Sequence, residues 1–132
     1  MINTLCPCGS HEKFEHCCKP IISGDMLAPT AEHLMRSRYT AFTLGNGDYL
    51  MKSWHTDYRN PKEKKEIEQW AKSVKWIKLE IVKTEEVGVA DNQGYVTFKA
   101  FFSECGKIMC IHEKSLFYKE DGEWYYHSGV HF

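Results

Sequence analysis

No stretch of this 132-residue chain is apolar for long enough to cross a bilayer, which takes about 20 residues. The opening MINTLCPCGS has neither the basic nor the apolar region of a secretory signal. An excess of one charge is also missing. Against 18 Asp and Glu stand 17 Lys and Arg, a net charge of -1, which argues against nucleic acid or a membrane surface as partner. Proline is scarce, with four residues, and there is no repeat or low-complexity tract, so the chain is not a linker or a disordered tail. A hydrophobic share of 42% with 27% charged residues suits one globular domain plus a small appendage. Together these absences predict a cytoplasmic protein whose thiols stay reduced.

Cysteine is concentrated instead. Four of the six cysteines fall within CPCGSHEKFEHCC, residues 6–18. In a reducing compartment such a cluster points to metal ligation before disulfides. The spacing agrees, because Cys17 and Cys18 are adjacent and only one residue separates Cys6 from Cys8. Zinc needs four such donors in a tetrahedron, with Zn–S near 2.3 Å as an approximate value. Pro7 fixes φ between two ligands, and Gly9 permits the tight turn that follows. The segment 10–16 reads as one helical turn, with Ser10 as its cap and Phe14 covering the site. Cys6, Cys8, Cys17 and Cys18 are the candidate zinc ligands, with His11 or His16 as a substitute for one of them. A closed four-thiolate site is structural; the alternative is a reduced cluster without metal. Cys105 and Cys110 read as ordinary thiols around a hairpin.

Residues 19–29 read as a connection, punctuated by Pro and Gly. Thr30 caps a helix over 31–44, ended by Gly45-Asn46-Gly47, and Asp48 caps a second short helix over 49–54. Pro61 opens a third helix. From residue 76 onward the period changes to two. One strand carries Ile77, Leu79 and Ile81 on one face, and 90–94 is a turn. A second strand over 95–104 joins a third, over 108–120, through a hairpin at 104–107, and the third meets the last, over 124–132, at Asp121-Gly122. Helices followed by an antiparallel meander give an α+β fold, with one curled sheet over packed helices.

The first long helix carries the sharpest signal. Leu34, Met35, Ala41 and Phe42 define its apolar face, and Arg38 sits at the centre of that stripe, while Arg36 points to solvent. A guanidinium under a sheet needs a carboxylate, an anion or a polar cavity. A two-residue turn at 121–122 pairs Phe117 with Tyr126 and Ser115 with Ser128, so Glu113, Ser115, Phe117 and Tyr126 share a face. That face, with Arg38 and with His55 from the end of the second helix, makes a candidate pocket for a small molecule. A buried Arg38–Glu113 ion pair without ligand is the competing reading, as is a capping or core role for His55. Apolar Leu116, Tyr118 and Tyr125 on the other face leave room for a homodimer, or for cover by residues 1–29. The lysine-rich run 62–78 is the solvated side of the third helix and lacks the aromatic interleaving of a nucleic-acid platform.

The C-P-C-G-S opening with its C-x-C-x8-C-C spacing resembles the SEC-C zinc motif. Followed by HLMRSRYTAF, then DYLMKSWH, then EKSLFYKEDGEWYY, the whole of residues 6–129 is similar to the YchJ family. The resemblance implies a SEC-C knuckle over 1–20. It also implies a domain similar to nuclear transport factor 2 over 21–132, a cone of helices on a strongly curved antiparallel sheet. It implies the same four zinc ligands and carries no activity with it. The functional expectation is an interaction module that docks a protein partner through the knuckle. The alternative is a pocket protein using Arg38 and Glu113, with His55 or Glu113 as acid/base candidate.

Overall fold

The computed structural model describes residues 4–86 and 92–132. Four helices, α1 (Cys18–Ser23), α2 (Ala31–Leu44), α3 (Gly47–Lys52) and α4 (Lys64–Ser73), precede four strands. These are β1 (Lys75–Glu86), β2 (Gln93–Glu104), β3 (Lys107–Glu120) and β4 (Glu123–His131). The strands form one antiparallel sheet in the order β1-β2-β3-β4. Part of the turn expected at 90–94 lies outside the described residues. Among the described residues no helix is long and apolar enough to cross a membrane.

Each helix stops and starts for a local reason. The Thr30 hydroxyl accepts the His33 N–H at the start of α2, and Gly45, at φ +65°, ends it in the left-handed region. Asn46 rather than Asp48 caps α3, its side chain accepting from the Tyr49 N–H. Residues 19–23, expected as connection, are helical. Pro20 lies in the first turn, where a missing N–H costs nothing, and Gly24 closes the helix at φ +90°. Because α1 begins at Cys18 and buries Ile21 in the main core, the knuckle runs without a break into the domain past residue 20.

α2 is the central element. Its apolar face packs on the sheet, yet Ser37, Tyr39 and Thr40 on its other sides are buried as well. Tyr49 of α3 covers Ser37, their oxygens 2.6 Å apart, and the knuckle covers Thr40. A second face is thus shielded by segments the stripe alone does not reveal. Phe117 and Val96 at the middle of the sheet are fully buried. Each such side chain contributes roughly 1.5–3 kcal/mol by its removal from water.

Three irregularities interrupt the strand pairing among the described residues, one of them between Ile81 and Lys83, and the other two decide which side chains face the core. The pairing shifts between Trp76 and Lys78, so Trp76, Leu79 and Ile81 face the core and Ile77 turns to solvent. A second shift lies at His127. Glu120 pairs with Glu123 and Phe117 with Tyr126, but Leu116 then pairs with Ser128, Ser115 with Gly129 and Glu113 with His131. The expected Ser115–Ser128 pair is therefore replaced by Ser115–Gly129.

Candidate functional site

In the knuckle, the Cys6 N–H donates to the Glu12 carbonyl and the Phe14 N–H to the Thr4 carbonyl, while Gly9 adopts φ +82°. This tight loop gathers the sulfurs of Cys6, Cys8, Cys17 and Cys18 within 4.8 Å of one another. Cys8 and Cys17 lie 3.6 Å apart and Cys17 and Cys18 3.9 Å. A tetrahedron with Zn–S near 2.3 Å has edges of about 3.8 Å, so the four donors fit a single metal ion. Cys6, Cys8 and Cys18 are buried, and Phe14 packs on the cluster. Contact with Cys18 and Cys6 holds the Cys8 thiol well below its ordinary value, whereas burial pushes Cys17 up to about 11. A bound metal ion would replace these protons by one cation.

The knuckle sits on the domain. Thr40 Oγ1 is 3.7 Å from Cys6 Sγ, and Arg36 Nη1 donates to the Cys8 carbonyl at 2.7 Å. Arg36 is therefore not free in solvent, as its place on the helix suggests. Glu32, one turn earlier, holds the guanidinium from the other side at 2.9 Å.

The second site is a cavity of about 150 Å³ between α2, α4 and the sheet. Phe42, Trp70, Trp76, Phe98 and Ile111 supply an apolar wall, and Arg38, Glu113, Tyr126 and His131 the polar groups. Trp70 packs edge to face on Trp76, 5.5 Å apart at 89°, and Phe42 lies tilted on Trp76 at 5.7 Å.

Arg38 is 7% exposed and does not pair with Glu113. Its Nη1 donates to the Leu50 carbonyl at 2.9 Å and to Ser53 Oγ at 2.6 Å. Its guanidinium carbon lies 4.7 Å from the centre of the Tyr126 ring. Nε and Nη2 have no hydrogen-bond partner among the described residues. Desolvation lowers the Arg38 pKa to about 10, so the group stays cationic at neutral pH.

Glu113 belongs to a different set of bonds. Its Oε2 accepts from the Ser115 hydroxyl and, at 3.0 Å, from the Tyr126 hydroxyl; Oε1 lies 3.1 Å from His131 Nε2. The expected direct ion pair is therefore replaced by Tyr126, whose ring lies on the guanidinium and whose hydroxyl reaches the carboxylate. Burial, followed by the charge of Glu113, pushes the Tyr126 pKa up and keeps this hydroxyl a donor. A side chain at position 129 would overlap the Glu113 carboxylate, so Gly129 makes room for it.

Of the expected pocket residues, Arg38, Glu113 and Tyr126 line the cavity. Ser115 and Phe117 are fully buried, Ser115 bonded to Glu113 and Phe117 edge-on to Tyr126 at 5.7 Å. His55 does not join them. Its N–H donates to the Tyr126 carbonyl, and its ring lies against Tyr118, Tyr125 and His127 on the opposite face of the β3–β4 hairpin. Tyr118 and Tyr125 are thus contacted by the segment after α3 rather than by residues 1–29. Sequence reasoning missed His131, because an unbroken register places position 130 opposite Glu113. The bulge at His127 advances β4 by one residue.

Comparison with known proteins agrees with this geometry. Residues 3–20 match the SEC-C motif, and residues 30–129 match the YchJ middle NTF2-like domain. The chain is similar to a SEC-C motif containing protein from Rhodopseudomonas palustris, solved in solution. Identity is 31% over 95% of this chain and 96% of that one, with a TM-score of 0.86. It is also similar to a SEC-C motif containing protein from Psychrobacter arcticus, known from a crystal structure. There the identity is 30%, the coverage 97% of this chain and 84% of the other, and the TM-score 0.83. With the two models matched in order along its length, the chain belongs to the YchJ family, an NTF2-like domain behind a SEC-C motif.

Proposed function

We propose that the cone cavity binds a small organic molecule whose apolar body rests on Trp70, Trp76 and Phe42 and whose oxyanion or carbonyl oxygen is held by Arg38. One observation carries this reading. Arg38 is a buried cation whose bonded nitrogen, Nη1, meets only neutral acceptors, while Nε and Nη2 are left without partners beside a cavity. A desolvated guanidinium that meets only neutral partners is costly, and a bound anion or carbonyl reached by Nε or Nη2 would offset that cost. A cavity of about 150 Å³ suits a ligand near the size of benzene. Glu113 is occupied by Ser115, Tyr126 and His131, so its role here is to hold Tyr126 in place rather than to take a proton. The reading is therefore binding.

In the same reading the cysteine cluster holds zinc. Four sulfurs at tetrahedral spacing in a buried loop are the donor set that metal prefers. The ion would close the knuckle, whose Cys8 carbonyl accepts a hydrogen bond from Arg36 Nη1. The polar turn His11, Glu12, Lys13, Glu15 and His16 is exposed and supports a protein contact as a second reading.

Calorimetry with a panel of small aromatic and aliphatic carboxylates tests the pocket. Wild-type protein should bind members of the aromatic set, and Arg38→Met should not. Equal binding by both proteins would remove Arg38 from the site.

A further inference from the structure

On the far side of the β3–β4 hairpin from the cavity, the chain after α3 lies along β4. The His55 N–H donates to the Tyr126 carbonyl at 2.7 Å, and the Tyr126 N–H to the Ser53 carbonyl at 2.8 Å. This pairing carries His55 and Asp57 up to His127, the residue that the bulge adds to β4. His127 Nε2 lies 2.9 Å from Asp57 Oδ2, and His55 Nδ1 lies 3.5 Å from the same oxygen. One donor atom from each of the three residues falls within 4.8 Å of the other two. Donors held about 2.1 Å from a metal ion stand about 3.0 Å apart at a right angle and about 3.4 Å apart at a tetrahedral angle. The two observed spacings are of that size.

The far nitrogens of both rings are also held. His55 Nε2 is 2.8 Å from Glu120 Oε2, and His127 Nδ1 is 2.9 Å from Ser128 Oγ. Such outer contacts fix the tautomer and the tilt of a metal-ligating imidazole. With Nε2 donating to Glu120, the His55 lone pair is on Nδ1, where it accepts the Asp57 backbone N–H at 3.1 Å. A cation would take over that lone pair. Both histidines are nearly buried, and the Tyr118 and Tyr58 rings lie 4.3 and 4.9 Å from His127. Asp57 remains exposed and gives an ion its way in.

We propose that His55, Asp57 and His127 form a second metal site, separate from the cysteine cluster, that takes a divalent first-row transition ion. Two imidazoles and one carboxylate are the donor set of zinc, iron, cobalt or nickel rather than of calcium or magnesium. The thiolate site is closed. This one offers three protein ligands and leaves coordination positions open on the Asp57 side.

Full-length protein with its knuckle already loaded with zinc is titrated with Co²⁺ and followed by calorimetry and visible absorption. The expected result is one equivalent of Co²⁺ bound without sulfur-to-cobalt charge-transfer bands. Asp57→Asn and His127→Gln should each weaken it by roughly tenfold or more, and Glu120→Gln by less. Asp57 is exposed, so that variant tests the site without disturbing the core. Bound Co²⁺ should also broaden the His55 and His127 ring protons in the NMR spectrum of the wild type, which needs no variant. The proposal fails if no Co²⁺ binds up to about 1 mM. It fails equally if binding is unchanged in Asp57→Asn and His127→Gln, or if thiolate bands show that the ion has displaced knuckle zinc.

Discussion

In the knuckle, four thiols lie within 4.8 Å of one another, three of them almost inaccessible, and they pack sulfur on sulfur. In the cone, a guanidinium and a carboxylate are buried nearly as deeply, at 7% and 6% exposure, yet they do not touch. The first arrangement is complete in itself once a cation is added, because every donor points at one place. The second is incomplete by design of its contacts. Tyr126 keeps the two charges apart, and each keeps its own partners. A closed polar cluster reads as a staple, and an open one beside a cavity reads as a site that expects a guest.

Removing metal from the knuckle should separate the two regions most strongly. Structural zinc carries folding free energy of about 10 kcal/mol or more, and the loop has little apolar core of its own. A strong chelator should collapse the amide resonances of residues 4–23 while those of β2 and β3 keep their positions. If the sheet melts as well, the knuckle is part of the domain's core rather than a staple on it.

Tyr39, at the junction of the two regions, sharpens the contrast through pH. Its ring meets Trp76 edge-on at 5.7 Å, and burial raises its pKa from 10.0 to about 12. The folded state keeps this proton longer than the unfolded chain does. The stability it contributes is therefore complete below pH 10 and lost as pH climbs through 12. The shift corresponds to about 2–3 kcal/mol. Chemical unfolding at pH 9 and pH 12 should show that loss in the wild type and a smaller one in Tyr39→Phe.

Arg36→Ala should have a smaller effect. It removes a charged hydrogen bond to the Cys8 carbonyl, a contact of roughly 1.5–3 kcal/mol. Zinc content should stay at one per chain, while hydrogen exchange in residues 6–18 speeds up. Unchanged exchange would mean that the knuckle is held by Thr40 and α1 alone.

The pattern of residues was most readable where local chemistry decides geometry. The Asp121-Gly122 turn gives the Phe117–Tyr126 pair directly, since two left-handed residues leave one register for the hairpin. The ends of α2 follow from Thr30 and Gly45, and the cysteine spacing predicts its own loop. Bulges were not legible. The shifts at Ile77 and His127 answer to twist and to packing across the sheet, and they moved Ile77 outward and brought His131 to Glu113. His55 takes the core role rather than the pocket role for a similar reason, because only the tertiary pairing of residues 53–55 with β4 shows which side of the hairpin it meets. Arg38 stood out correctly as a charge in an apolar stripe. Its true partners, the Leu50 carbonyl and Ser53, lie on the neighbouring α3 and just past its end, and no periodicity announces them.

The smallest structural change carries the most information. Arg38→Met replaces the guanidinium by a shorter, flexible apolar side chain, and its cost should stay within about 1–2 kcal/mol, because the burial penalty of the charge disappears with it. Native mass spectrometry of the gently purified wild type beside Arg38→Met is therefore the most direct measurement. The account predicts the metal-loaded chain plus a further small organic mass in the wild type, with that mass absent from the variant and the metal retained. A wild type that carries metal alone, or an adduct that survives in Arg38→Met, would contradict it.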